Sequence, residues 1–258
     1  LCRNGSLLSH VCDILAEREC IGFKVAIVML ETVDGILLVY HYPLVVNAVT
    51  LMEHVESIER HSRFPVVKVN TEYGFPSELK NLRFRAIALH YSLFGATRHL
   101  FDDAWYEYFD QHVNCYKIAF KQDEFHGCNR FFKFLNDHRI DCVFTLYNPK
   151  HWDQFYRKYT QVPNLVFNLP GYISGELSKV SQLYSRPLEK RSIDFGHRAR
   201  RLPFYMGRGS QDKWTIAREC IERTKGRGLK LDLSWEEKDR IYGQRWYQWL
   251  GNCRAMLG

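Results

Sequence analysis

Long apolar runs are the first thing this sequence lacks. Its most apolar stretch, GFKVAIVMLETVDGILLVYHYP (22–43), is broken by Lys24, Glu31, Asp34 and Gly35. Every uninterrupted run falls far below the ~18–20 residues a membrane-spanning helix requires, and no cleavable signal peptide is readable. The eight cysteines (Cys2, Cys12, Cys20, Cys115, Cys128, Cys142, Cys220, Cys253) form no CxxC pair and no Cys/His ligand spacing. Several sit inside apolar runs, which favours buried thiols in a reducing cytoplasm over a disulfide framework or a metal site. GxGxxG, GxxxxGK[ST], GxSxG and the protein-kinase signatures are all missing. That sets aside the dinucleotide fingerprint, the P-loop, the nucleophile elbow and kinase chemistry. There is no internal repeat, no low-complexity tract, and no continuous basic stripe with a base-reading motif, so no specific nucleic-acid partner is expected.

What remains is a chain of 258 residues, 46% hydrophobic and 25% charged, long enough for one large α/β domain or up to two ordinary ones. Aromatics reach 15%, many in polar company such as Trp105, Tyr106 and Tyr108, or Trp246, Tyr247 and Trp249. The formal charge of +7 suits an anionic ligand or a loose peripheral contact with an acidic membrane surface. The chain starts at Leu1 without Met and ends NCRAMLG, so a fragment at one or both ends is expected.

From Gly35 the pattern becomes regular. GILLVYHYP, FPVVKVN, FRAIALHYS, CYKIAFKQDEFHG, IDCVFTLYNP and NLVFNLPGY are short apolar runs with polar, turn-forming ends, as in strands buried on both faces. Helical segments separate most of them: 44–62, with Val45, Val49, Met52, Val55 and Ile58 at helical spacing, then about Thr97–His112, Asn129–His138, HWDQFYRKY and Ser174–Leu183. Alternation of this kind predicts a doubly wound, Rossmann-like parallel sheet over 35–185. SRPLEKR (185–191) reads as a linker. The alternation then restarts over 191–258 with SIDFGHR as a strand, a helix near Gln211–Thr224, GLKLDLS as a strand, and helical stretches near Trp235–Tyr242 and Arg245–Met256. This predicts the first part of a second Rossmann-like domain. Residues 1–34 do not fit the alternation and are read as an extension of unassigned role.

In open parallel sheets ligands bind outside the carboxyl ends of the strands. Those ends carry His41 and Tyr42, Asn70, His90 and Tyr91, then Gln122, Asp123, Glu124 and His126, then Asn148 and Lys150, and last Gly171 and Tyr172. One shared polar cleft is expected, with His90, Asn148 and Tyr172 on its rim. KQDEF is its most chemical stretch: Asp123 or Glu124 could serve as general base for a hydroxyl nucleophile, with His41 as the alternative. Adjacent residues point apart, so one of the two carboxylates should face the cleft, and the bland alternative is a cap for the next helix. For His41 and His90 the bland alternative is a satisfied core histidine. Histidines this far apart define no metal site.

The stretch RSIDFGHRARRLPFYMGRGSQDKW (191–214) places Arg198, Arg200, Arg201 and Arg208 around Gly207 and Gly209, ahead of a helix. Such a loop can hold phosphate through backbone N–H groups, the helix dipole and bidentate guanidinium contacts. The alternative is a solvated basic loop.

The order YHYP…ERHS, then FKQDEF, FNLPGY, this 191–214 stretch and LKLDLSWEEKDRIYGQRWYQWLGNCRAMLG resembles bacterial glycosyltransferase-like proteins of the two-Rossmann, GT-B type that serve polysaccharide biosynthesis. The resemblance covers roughly 36–258 and is most specific over 191–258. It implies an N-terminal acceptor domain, a C-terminal donor domain and a cytoplasmic enzyme working at or near the inner face of the membrane. A nucleotide-sugar donor would bind in the cleft with no obligatory metal or other cofactor, and the acceptor would be a glycan or a lipid-linked glycan. Carried onto this chain, it makes Arg198, Arg200, Arg201 and Gly207 donor-phosphate contacts, Asp123, Glu124 or His41 the base, and His90, Asn148 and Tyr172 part of the acceptor cleft. It also implies a donor domain about half complete at Gly258, which raises the alternative of a non-catalytic α/β binding module for a phosphorylated or glycan ligand.

Overall fold

A computed structural model of the chain describes residues 31–43, 49–95, 97–169 and 171–258. Val45, Cys2, Cys12, Cys20 and residues 1–30 of the expected N-terminal extension lie outside the described residues.

Six parallel strands form the main sheet: β1 (Glu31–Tyr40), β2 (Val66–Asn70), β3 (Leu82–Leu89), β4 (Tyr116–Phe120), β5 (Cys142–Thr145) and β6 (Asn164–Phe167), in the order β2-β1-β3-β4-β5-β6. Strand β1 reaches back to Glu31, four residues ahead of the expected start, because an irregularity between Val33 and Ile36 lets Glu31 pair with Leu82. Helix α1 (Val49–His61) joins β1 to β2, α2 (Asp103–Gln111) joins β3 to β4, α3 (Cys128–Asp137) joins β4 to β5, and α4 (Trp152–Tyr159) joins β5 to β6. Helix α5 (Gly175–Tyr184) follows β6, with the Ser174 hydroxyl capping the Leu177 amide.

Strand side chains alternate between the two faces, and the core follows that period. Leu37, Val39, Ile87, Leu89, Ala119 and Val143 pack against Trp105, Phe109, Phe131, Phe134 and Tyr156 of α2, α3 and α4. The opposite parity, Leu38 and Ala88, meets Val55 of α1. The sheet is therefore covered on both sides, as its near-continuous apolar strands require.

Beyond α5 lies a separate three-stranded parallel sheet: β7 (Ile193–Arg198), β8 (Leu231–Ser234) and β9 (Cys253–Met256), ordered β8-β7-β9. Helix α6 (Arg208–Thr224) connects β7 to β8, and α7 (Gln244–Leu250) connects β8 to β9. The expected helices over Trp235–Tyr242 and Arg245–Met256 need correction. The first is a single 3-10 turn, Glu237–Asp239, and the second stops at Leu250. Cys253–Met256 then pairs with β7, Ala255 opposite Phe195. At that end a Cβ on Gly251 would collide with the Tyr184 carbonyl of α5. On β7 itself, a Cβ on Gly196 would stand 2.5 Å from Cys253 Sγ and 3.0 Å from the Trp249 ring. Only glycine lets these elements approach so closely.

Candidate functional site

All six strands of the main sheet point the same way, so their carboxyl ends share one rim. The strand order reverses between β1 and β3, where doubly wound sheets usually open a ligand crevice. Here that place is filled by interlocked polar side chains. The Ser92 hydroxyl accepts the His41 amide at 2.9 Å and lies 2.8 Å from His90 Nδ1. His90 Nδ1 also accepts the Ser92 amide at 3.2 Å, so the ring proton sits on Nε2 and is donated to His54 Nδ1 at 2.9 Å. His90 is fully buried and His54 nearly so. Burial pushes both imidazoles below the usual histidine range, His90 well below it, with His54 adding to the effect. His90 is thus a core residue and not a wall of an acceptor cleft.

His41 is half-buried, its Nδ1 3.1 Å from the Thr71 hydroxyl and its Nε2 3.7 Å from Glu72. Burial lowers its pKa, partly opposed by Glu72. Asn148 is exposed and caps the turn at Lys150, and Tyr172 pairs with His61 at 3.0 Å. The expected grouping of His90, Asn148 and Tyr172 in one cleft is not what the fold builds.

The two carboxylates after β4 separate as neighbouring residues must. Glu124 turns inward: its Oε1 accepts from the Thr145 hydroxyl at 2.5 Å, the Leu146 amide at 3.2 Å and Tyr156 at 3.3 Å. That carboxylate ties β4 to β5 and α4, a structural role. Lys121, also buried, lies over the Phe131 ring at 5.4 Å, and burial lowers its pKa against the pull of Cys128, Glu124 and Asp123. Asp123 instead takes a left-handed backbone (φ 60°), which Asp tolerates better than most residues, and faces outward.

Outward from Asp123 lies a cavity of about 810 Å³ between this rim and the three-stranded sheet. Asp123, Phe125 and His126 form one wall. Facing them are the segment after β7 (Arg200, Leu202, Met206), Lys213 of α6, and Arg240, Tyr242 and Trp246 from the loop after β8 and from α7. The carboxyl ends of both sheets therefore meet across one space. One wall is basic and the other carries a carboxylate and an imidazole whose Nδ1 is buried with no partner among the described residues. A basic wall can hold an anionic group, and a carboxylate opposite can take a proton from a hydroxyl placed between them.

The arginines of the 191–214 stretch divide by role. Arg198 lines the cavity but spends its donors on the protein: Nη2 to Asp232 at 2.6 Å, Nη1 to the His197 and Asp232 carbonyls, and Nε to the Asp239 carbonyl, with the guanidinium 4.6 Å above the Trp249 ring. It is a clamp across β7, β8 and α7, which leaves one of its five N–H donors for a phosphate. Arg201 lies over Trp214 at 4.8 Å, 5.8 Å from Trp235 and 3.9 Å from Glu236, outside the cavity lining. Gly207 (φ 83°) caps α6 and also lies outside it. Arg200 does line the cavity, and no partner for it occurs among the described residues.

Lys213, Arg240 and Tyr242 were not among the residues singled out from the sequence, Trp246 stood out only as an aromatic in polar company, and His126 was noted without a role. The carboxyl-end rule finds the later residues when it is extended to the second sheet, because the segment after β8 runs straight into EEKDRIYGQRW. Among the described residues no three His, Cys, Asp or Glu side chains are grouped to hold a metal ion, and no helix is long and apolar enough to cross a membrane. No family model, no curated protein and no solved structure matches this chain.

Proposed function

We propose that this chain belongs to a glycosyltransferase of GT-B type, with the six-stranded sheet as acceptor side and the three-stranded sheet as part of a second Rossmann-like donor domain. One observation carries the reading: the cavity sets Asp123 opposite Arg200 and Lys213, with Arg240, itself paired to Glu237 at 2.6 Å, beside them. In this reading a nucleotide sugar places its diphosphate on the basic wall. An acceptor hydroxyl, on a glycan or lipid-linked glycan, attacks the anomeric carbon. The new C–O bond forms as the bond from that carbon to the phosphate oxygen breaks; Asp123 takes the hydroxyl proton, and Arg200 and Lys213 offset the charge that develops on the departing diphosphate.

A second reading, a non-catalytic module that only binds a phosphorylated or glycan ligand, draws on the inward turn of Glu124, which leaves Asp123 as the one carboxylate of the pair at the cavity. Thermal-shift titration with UDP, GDP, ADP and CMP and their sugar forms, at fixed salt, tests both. A diphosphate at ~100-fold excess over its dissociation constant should stabilise the fold by ~2.7 kcal/mol, and Arg200→Ala should abolish that shift without lowering the unliganded midpoint. No shift with any nucleotide sinks the anion site. If Asp123→Asn keeps full sugar transfer, Asp123 is not the base; nucleotide binding with no transfer to any acceptor leaves the module reading standing.

A further inference from the structure

Between β7 and α6 the chain makes a 3-10 turn, Phe204–Met206, that faces two ways. Leu202 and Met206 line the cavity, whereas Phe204 and Tyr205 are 83% and 88% exposed, the two most exposed large hydrophobic side chains among the described residues. The turn is held firmly. Pro203 sets its entry, the Met206 amide donates to the Pro203 carbonyl at 3.1 Å, the Gly207 amide to the Phe204 carbonyl at 3.0 Å, and Gln211 Nε2 to the Leu202 carbonyl at 2.9 Å. Two aromatics are thus presented to solvent on a rigid support.

Charge surrounds them. Arg200 and Arg201 precede the turn and Arg208 follows it, all exposed, and no acidic residue occurs over positions 195–211. The nearest recorded carboxylate contact is Glu236, 3.9 Å from Arg201 and itself exposed. Apolar and aromatic tips ringed by arginine suit the interface of a bilayer, where rings sit among the headgroups and guanidinium groups meet lipid phosphates. A patch of two side chains is far too small for a stable protein interface, which takes about 800 Å² per partner. Stacking on single-stranded nucleic acid needs successive aromatics along a basic groove, and here the two rings share one turn.

We infer that Phe204 and Tyr205, flanked by Arg200, Arg201 and Arg208, form a docking tip for the surface of an anionic phospholipid bilayer. The cavity wall formed by Leu202 and Met206 then lies beside the membrane. The surface touches neither Asp123 nor His126 and shares only Arg200 with the proposed anion site, so Phe204, Tyr205 and Arg208 test docking independently of sugar transfer.

Co-sedimentation with vesicles of phosphatidylcholine alone and of phosphatidylcholine with about one-third phosphatidylserine tests it. The protein should partition onto the anionic vesicles and not the neutral ones, and Phe204→Ser with Tyr205→Ser should lower that partitioning about tenfold or more. Arg208→Gln, which leaves the cavity lining intact, should lower it about fivefold. Because all three side chains are exposed, thermal midpoints should stay at the wild-type value, which separates lost docking from lost folding. Three results would overturn the inference: no anionic-vesicle binding, binding indifferent to the two serines, or a Phe204/Tyr205-dependent capture of single-stranded oligonucleotide without vesicle binding.

Discussion

The six-stranded sheet buries apolar side chains on both faces, whereas the three-stranded sheet stacks its aromatic rings on arginines. In the first, Leu37, Leu38, Val39, Ile87, Leu89, Phe109 and Val143 are shielded from solvent almost completely. In the second, only Ala217, Trp249 and Cys253 are buried hydrophobics among the described residues. Cohesion there comes from Arg198 on Asp232 and Trp249, Arg201 on Trp214 and Trp235, and Arg254 on Asp194. Exposed ion pairs weaken as salt screens them, whereas apolar burial has no charge to screen and salting-out ions strengthen it. The two walls of the cavity therefore rest on supports of different kinds, the basic one on the thinner core.

The largest test of this contrast is truncation in each core. Leu89→Ala removes a fully buried side chain and should cost about 3 kcal/mol in chemical denaturation, whereas Leu233→Ala on half-buried β8 should cost less than about 1.5. Equal losses would erase the distinction. Next comes the clamp: Arg198→Ala leaves the half-exposed Asp232 with only the Trp249 indole N–H and uncovers the Trp249 ring, which should cost about 1–2 kcal/mol. Arg198→Lys should recover less than half of that, because an ammonium cannot reproduce the fork. Arg200→Ala should leave stability untouched, so the pair separates support from ligand contact. Last comes the acid sensitivity that buried histidines confer on the larger sheet. His41, His54, His90 and His99 all have pKa values lowered chiefly by burial, His99 to about 4. Above pH 6.5 these rings are neutral folded or unfolded and contribute nothing to the pH dependence. Below it the unfolded chain takes protons that the folded chain refuses, so stability falls by at most ~1.4 kcal/mol per pH unit for each such ring, until the folded form also binds its proton. His90→Gln should flatten the unfolding midpoint between pH 6.5 and 5; an unchanged slope would assign the acid response elsewhere.

The β/α alternation was legible because strands buried on both faces need unbroken apolar runs such as ILLVY and the linking helices need polar faces. Strand β9 was not, since CRAM lacks any periodicity of its own and becomes a strand only by pairing with β7. The division of labour between Asp123 and Glu124 was half legible. That one carboxylate would face the cavity follows from chain geometry, but which one depends on Thr145 and Tyr156 at distant positions. Arg198 illustrates the same limit, for nothing in GHRARR announces Asp232 and Trp249 as its partners. The polar residues at the β1/β3 reversal read as site candidates because the sequence shows composition, and only packing shows that they close the crevice they were expected to line.

Strand β7 also imposes an order on assembly. It is the first strand of its sheet in sequence but the central one in space, with β8 on one edge and β9 on the other. Until Leu231–Ser234 and Cys253–Met256 have both docked, IDFGHR carries two unsatisfied edges, each able to pair with a foreign strand. Both pairings are non-local, as are those of β1 with β2 and β3 in the larger sheet, so in each sheet long loops must close before the central strand is satisfied. Gly251 then governs the last step: the turn that delivers β9 must seat against the Tyr184 carbonyl of α5, and any side chain there would hold the final strand away from its neighbour.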